Sequence, residues 1–523
     1  MLHRFPVIAL MLGLMALLML VPALQAATES EWRSARGFLY PALFGVLVAA
    51  AIAVLLRPIS SREPAEHELL TLLLLWLTLP AYAAFPLVLL TPSLGWSGAW
   101  FEMVAALTTT GGSAYAKAGA VPDAIHLWRG LVGWLGGLLT LMAAYVILAP
   151  RRLGGFEVMA AAEGMRNDRP VDLRMVSASF ESRTLRAMRT ILPVYLLMTF
   201  ALGVIFNTAD KPGLIAAVHA MSVVSTSGIS PVEGGFAASG SIAAEIAAAV
   251  FMVLAASRFL YAGASQRGRR QDWRRDPELR LMAGLVLGAT FLLFLRHWVG
   301  VLTIDVDIEA QDGAKALWGA LFTTLSFLTT TGFESHAWES ARDWSGLANP
   351  GLVLLALCLV GGGAATTAGG IKLIRVYALM RHGVRELERI AMPNSVSGSR
   401  GGQRGLRREG AFIAWAFMML FLLALFGSVL ALTLTGLAFD DAFVASIAAL
   451  TNTGPAYPTI AGEGKNFALF DAPQRAILCA TMILGRIETL AVIALFNPER
   501  WREGSARSKK TGKSRVEGSL SDW

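Results

Sequence analysis

Charge is scarce in this chain. Asp, Glu, Lys and Arg make up 16% of its 523 residues, and 55% are hydrophobic. Soluble domains carry about 25% charged residues. The deficit excludes an ordinary soluble fold and points to an integral membrane protein. Cysteine is nearly absent. Cys358 and Cys479 lie far apart in apolar runs, which leaves no disulfide framework and no metal spacing and reads as two inert buried thiols. The seven histidines are scattered. No phosphate-cradling P-loop and no G-x-S-x-G elbow occurs, so enzyme readings find no support. The stretch "GGGAATTAGG" (361–370) is glycine-rich, but it lacks the Lys-Ser/Thr ending and the preceding strand of a nucleotide loop.

What the sequence does have is long apolar runs. A crossing helix needs about 20 such residues. Candidate spans are 5–26, 38–56, 68–90, 126–149, 190–208, 241–262, 278–299, 348–362, 410–436 and 475–496. The first has the basic start and alanine-rich end of a signal peptide. Its apolar stretch is long for one and its cleavage pattern imperfect, which favours a retained helix. The net charge of +8 is gathered in "RPISSRE", "RRLGG", "SQRGRRQDWRRDPELR", "GSRGGQRGLRRE" and "RWREGSARSKKTGKSR", which alternate with basic-poor connections. With ten crossings, both termini and all the basic stretches fall on the cytoplasmic side of the inner membrane, beside anionic lipid. The positive charge is thus a topology signal, and no nucleic-acid partner is expected.

Four segments share one design. They are "WSGAWFEMVAALTTTGG" (96–112), "LIAAVHAMSVVSTSGISPVEGG" (214–235), "ALWGALFTTLSFLTTTGFES" (316–335) and "AFVASIAALTNTGPAYP" (442–458). Each is an apolar stretch of about 12 residues, too short to cross. Each ends in hydroxyl or amide residues and then a glycine. The glycines are Gly111, Gly228, Gly332 and Gly454, spaced by 117, 104 and 122 residues. A long apolar helix precedes and follows each one, so the unit is helix, half-helix, polar loop, helix. The fold expected is an all-α membrane protein of four pseudo-symmetric helix–pore-loop–helix repeats around one ion pore, with two extra helices in front. The repeats are set at 63–165, 166–275, 276–395 and 396–503, after an N-terminal helix pair (1–62) and before a basic tail (504–523).

Unpaired backbone at membrane depth is tolerated where protein buries it or where it lines a wet path. Four such loops on one axis can offer carbonyl oxygens in place of a cation's hydration shell. The half-helices' partially negative ends point at the same place and favour a cation. Hydroxyls brace the loop or add ligands. Oxygen ligands without fixed carboxylates suit a weakly hydrated monovalent ion better than Ca²⁺ or Mg²⁺. The alternative is four glycines at ordinary extracellular turns.

With these loops in place, the chain resembles the Trk/Ktr/HKT superfamily of potassium transporters, nearest its TrkH branch. The resemblance also rests on "WRGLVGWLGGLLTLMAAYVILAP" (128–150), "GGGAATTAGGIKLIRV" (361–376) and "MILGRIETLAVIALFNPERWR" (482–502). It implies K⁺ uptake through a single-chain selectivity filter, a homodimer, and a cytoplasmic nucleotide-binding regulatory subunit of the TrkA/KtrA type. No cofactor is expected in the chain itself, and nucleotide would act only through that partner. The implied K⁺-coordinating positions are Thr109, Thr110 and Gly111; Thr226, Ser227 and Gly228; Thr330, Thr331 and Gly332; Asn452, Thr453 and Gly454. Other transport modes remain open, namely Na⁺ permeation or symport with H⁺ or Na⁺.

The third repeat's outgoing helix should break between Gly361 and Gly370, because each glycine costs up to about 1 kcal/mol relative to alanine in a helix. A continuous small-residue packing face is the alternative. The resemblance makes the break an intramembrane gate formed by Gly361, Gly362, Gly363, Thr366, Thr367, Gly369, Gly370 and Lys372. Arg486 belongs with them, either projecting into the cavity beneath the filter or forming an interior ion pair. Glu488 is a poor intrahelical partner for it. The chain departs from the family at Ala456, where a second glycine is usual, and at Arg258. Glu334 and His336 are placed at the outer mouth, with His336 expected to face water.

Overall fold

The computed structural model describes residues 7–55, 65–151, 155–156, 180–209, 213–258, 276–301, 310–347, 349–392, 408–462 and 464–487. The described residues are helices and loops without strand. In front stand α1 (Val7–Leu18), α2 (Leu20–Thr28) and α3 (Trp32–Leu55). The first repeat enters on α4 (Ala65–Ala83) and α5 (Phe85–Leu90), continues as the half-helix α6 (Gly95–Leu107) and leaves on α7 (Asp123–Ala143). The second is α8 (Phe180–Thr208), half-helix α9 (Gly213–Ser225) and α10 (Ile242–Ala255). The third is α11 (Pro277–Val301), half-helix α12 (Ala310–Leu328), the short α13 (Trp338–Ser345), α14 (Gly351–Val360) and α15 (Leu373–Ala391). The fourth is α16 (Arg408–Leu434), half-helix α17 (Phe439–Leu450), the short α18 (Ala456–Ala461) and α19 (Ala472–Ile487).

Among the described residues, seven helices are long and apolar enough to cross a membrane: 8–28, 32–55, 69–90, 123–148, 182–208, 277–295 and 410–434. They correspond to seven of the ten expected spans. The other three are the outgoing helices of repeats two to four, described over 14, 10 and 16 residues. The expected continuations at 259–262 and 488–496 lie outside the described residues. Three half-helices run 13, 13 and 12 residues, as their apolar stretches suggest. The third is longer, 19 residues, because the polar stretch "AQDGAK" ahead of its apolar part is helical too.

The repeats close into a ring. Half-helix α9 packs on α7, α12 on α10, α17 on α14, and α6 on α19. Each half-helix therefore leans on the outgoing helix of the repeat before it, and the fourth repeat returns to the first. The half-helices are buried along most of their length, Glu102 and His219 included. Polar residues on them can only be satisfied by other parts of the protein. Both cysteines are buried and unpaired, in line with inert thiols.

Candidate functional site

All four half-helices end in the same closure. In α6 the N–H of Thr109 donates to Ala106 O (2.9 Å) and that of Thr110 to Ala105 O (2.8 Å). The matching pairs are Thr226 to Val223 and Ser227 to Ser222, Thr330 to Phe327 and Thr331 to Ser326, Asn452 to Ala449 and Thr453 to Ala448. Such a closure turns the residue after the C-cap into the left-handed region, a place usually held by glycine. Here φ is +52° at Thr109, +53° at Thr226, +59° at Thr330 and +55° at Asn452. Asparagine tolerates this conformation, but a β-branched residue is an outlier there and costs about 1–2 kcal/mol. Three strained threonines at corresponding positions of one ring are backbone strain of the kind that collects at functional sites.

The repeated glycines interlock. Gly111, Gly228 and Gly332 have φ of +76°, +66° and +77°, so the sign of φ alternates along each of these loops. A Cβ at Gly111 would overlap the carbonyl oxygen of Ser227, and one at Gly228 that of Thr331. At Gly332 it would meet Thr453 Cγ2 and Pro455 at 3.1 Å, and at Gly454 it would lie 2.6 Å from Thr110 O. Loop one therefore touches loop two, two touches three, three touches four, and four returns to one. Gly454 differs from the other three glycines. It does not take a positive φ, it precedes Pro455, which restricts its backbone, and its N–H donates to Thr110 O at 2.6 Å. Positive φ thus holds for three of the four glycines. The fourth closes the ring by a loop-to-loop hydrogen bond instead.

The hydroxyls divide into two sets. One set pairs along the loops: Thr108 with Thr110 (2.8 Å), Ser225 with Ser227 (3.1 Å), Thr329 with Thr331 (3.2 Å) and Thr451 with Thr453 (3.3 Å). These are braces, repeated in all four loops. The other set belongs to the left-handed residues. Arg486 Nη2 donates to Thr109 Oγ1. Thr226 Oγ1 donates to Thr367 Oγ1 (3.2 Å), and Gly369 N–H donates to Thr330 Oγ1 (2.8 Å). Asn452 Nδ2 donates to Thr110 Oγ1 and Met482 O, both at 3.0 Å. The three strained threonines thus touch the residues singled out as a gate.

Those residues do form a break. Helix α14 stops at Val360 and α15 starts at Leu373. Gly361, Ala365, Gly370 and Lys372 all have positive φ, between +57° and +86°. A neck closes the excursion: Ile371 N–H donates to Leu359 O, Lys372 N–H to Val360 O and Leu373 N–H to Gly362 O, each at 3.0 Å. Residues 361–369 are buried, and Lys372 Nζ donates to Ala368 O. The break ends two residues beyond Gly370, and a continuous small-residue helix does not form.

Several residues that hold the ring escaped the sequence reading. In three of the four repeats the position nine residues before the glycine braces the chain just past it. Glu102 accepts from Ser113 Oγ (2.7 Å) and Ala114 N–H (2.6 Å) and pairs with Arg129 (2.9 Å). His219 bonds Ser230 Oγ (3.0 Å), and Ser335 N–H donates to Thr323 Oγ1 (3.2 Å). The spacing was available as a signal, but in the fourth repeat the position is Ala445, which breaks the pattern. Gly136 and Gly485 let the outgoing helices approach the ends of α6 and α17, since a Cβ at either would overlap the carbonyl of Leu107 or Leu450. His336 is exposed, as expected, but it is also tied to the protein. Its N–H and Nδ1 meet Glu245 at 2.7 and 2.9 Å, because this buried carboxylate on α10, already bound by Trp318 Nε1 and Ser335 Oγ, recruits the donors beside it. Ala456, the departure in loop four, is buried and opens the short helix α18.

Comparison with known proteins agrees with the fold. The family TrkH, described as a cation transport protein, matches residues 46–502. The Trk system potassium uptake protein TrkH of Salmonella typhimurium is 29% identical over 512 residues, 96% of this chain and 100% of that protein. The Trk system potassium uptake protein TrkI of Halomonas elongata is 29% identical over 500 residues, covering 95% and 96%. The crystal structure of the potassium transporter TrkH from Vibrio parahaemolyticus superposes with a TM-score of 0.76 at 25% identity, covering 95% of this chain and 98% of that one.

Proposed function

The chain belongs to the TrkH family of cation transport proteins, and from that premise we propose that it carries potassium into the cell across the inner membrane, through the axis of the four-loop ring. The observation that carries this reading is the closed ring of contacts among the four glycine loops, each loop ending a half-helix with the same left-handed turn. Half-helix ends that converge there concentrate partial negative charge, and loop oxygens can replace water around a monovalent cation. The twelve positions from Thr109–Gly111, Thr226–Gly228, Thr330–Gly332 and Asn452–Gly454 form the K⁺ path. The repeat boundaries near 63, 166, 276 and 396 are part of the same reading. So are cytoplasmic termini, a dimer and a nucleotide-binding regulatory partner docking on the basic stretches 263–280 and 381–409, most of which lie outside the described residues. The exposed apolar row Met380, Val384, Leu387 and Ile390 on α15 supports a protein contact on that side. As a member of an ion-transport family, the chain is not an enzyme.

Purified protein in liposomes, loaded with K⁺ against Na⁺ and read with a potassium-sensitive dye, tests the reading. Flux that prefers K⁺ and vanishes when the loop glycines are replaced is expected. Liposomes as tight as protein-free ones would reject it.

Residues 361–372 act in this reading as a gate, lying against Thr226 and Thr330 of the ring. Removing Gly363–Thr366 should raise flux by about tenfold, the size expected when a closed state loses roughly 1.4 kcal/mol of preference. Unchanged or lower flux from a folded deletion variant would place the break outside the ion path.

A further inference from the structure

The break between α14 and α15 is fastened at two ends. The end nearest the ring is held by Thr226 and Thr330. The other end meets three charged residues that the ion path does not use. Gly363 N–H donates to Ala256 O (3.3 Å), and Ala364 N–H donates to Oε1 of Glu278 (2.9 Å). Glu278 is 4% exposed, and its Oε2 lies 3.5 Å from Arg258 Nε. Arg258 also donates through Nε (3.1 Å) and Nη2 (3.0 Å) to Oδ2 of Asp276. The other oxygen of Asp276 accepts the N–H of Glu278 (2.8 Å). Arg258 follows the outgoing helix of repeat two, and Asp276 and Glu278 begin repeat three. The cluster therefore ties the breaking segment to a seam between repeats. Beside it lies a small cavity of about 10 Å³ bordered by Ser257, Arg258, Asp276, Glu278, Met282 and Leu373.

A buried carboxylate is costly unless it is paired and hydrogen-bonded. Glu278 meets both conditions, and one of its hydrogen bonds goes to the backbone of the loop itself. A hydrogen bond to an ionised acceptor is stronger than a neutral one. If the loop swung away, Glu278 would lose this partner while remaining buried, so the loop's resting position is favoured.

We propose that Glu278 is the positioning residue of the gate: it clamps Ala364 and holds residues 361–372 across the ion path, with Arg258 and Asp276 fixing its carboxylate. The proposal rests on the gate reading of those residues. Its test uses the full chain in liposomes without any regulatory subunit, in a background in which Cys358 and Cys479 are replaced by alanine and Thr366→Cys reports loop position through labelling by a membrane-impermeant maleimide. Glu278→Ala should raise K⁺ flux by about tenfold and speed labelling of the reporter, with K⁺/Na⁺ preference unchanged. Glu278→Asp, which withdraws the carboxylate by one methylene, should move both in the same direction and serves if the alanine variant does not fold. Glu278→Gln keeps a neutral acceptor for Ala364 but loses the charge assistance, and should fall between the parent and the alanine variant on both readouts. Parental flux and labelling in Glu278→Ala and Glu278→Asp, or a Gln variant as leaky as the Ala variant, would overturn the clamp. The Gly363–Thr366 deletion separates the two ideas. If the deletion raises flux and Glu278→Ala does not, only the clamp falls. If the deletion leaves flux unchanged, the gate reading falls.

Discussion

Gly228→Ala should reduce potassium uptake by at least about tenfold, and Gly111→Ala should do nearly the same, while the protein still reaches the membrane. Two costs coincide at each position. The glycine holds φ of +66° or +76°, where an L-residue loses about 1–2 kcal/mol. Its Cβ would also overlap a carbonyl oxygen of the next loop, Thr331 O for Gly228 and Ser227 O for Gly111. A backbone oxygen cannot turn aside as a side chain can, so the neighbouring loop must shift and the ring must widen. Gly332→Ala should be milder, because its φ is equally unfavourable but its neighbours, at 3.1 Å, are Thr453 Cγ2 and the Pro455 ring. Gly454→Ala has no φ penalty but would press on Gly112 N and lie 2.6 Å from Thr110 O, and should fall between. Uptake by a strain lacking its own potassium transporters, with K⁺/Na⁺ competition, reads the series. Equal uptake and discrimination in all four variants would remove the ring from the ion path.

This ranking was not legible in the sequence, although the ring's members were. Four like segments at spacings of 117, 104 and 122 residues announce a repeat, and the apolar length of each announces a half-helix. The break at Gly361 was legible for the same reason, since five glycines within ten residues oppose a helix. What could not be read is which residue of each loop turns left-handed. Propensity assigns that place to glycine, and the structure gives it to Thr109, Thr226, Thr330 and Asn452, because the helix closure fixes its position by counting from the last turn rather than by preference. Contacts between distant segments were equally silent. Glu245 and His336 are 91 positions apart, and Ala364 and Glu278 are 86 apart. No local pattern ties a carboxylate to a backbone N–H at that distance. Glu278 by itself looks like an ordinary acidic residue in the first turn of a helix, where the dipole favours it.

The second large effect belongs to Arg486. Replacing it by glutamine should raise cation flux by about tenfold and leave K⁺/Na⁺ preference close to that of the parent. The side chain is 8% exposed on α19, and its Nη2 donates to Oγ1 of Thr109, the strained residue of the first loop. The guanidinium therefore sits against the ring itself. Its Nε finds no acceptor. An interior carboxylate was the competing explanation for a charge at this depth, and among the described residues no carboxylate pairs with Arg486; Glu488 lies outside them. Such a charge normally faces the protein interior or a wet cavity, because insertion at membrane centre costs about 2.5–3.5 kcal/mol. At an effective dielectric near 20, a fixed positive charge on the order of 8 Å from a passing K⁺ opposes it by roughly 2 kcal/mol. Glutamine keeps an N–H donor for Thr109 and removes the charge, so the loop stays braced while the barrier falls. Preference should hold because the loop glycines and their contacts are untouched. Combined with the Gly363–Thr366 deletion, Arg486→Gln should add less than its single effect if the charge and the loop obstruct one passage, since residues acting on a shared path are not additive. A folded Gln variant with parental or lower flux would reject the electrostatic barrier, and full additivity with the deletion would place the two obstructions at independent points along the path.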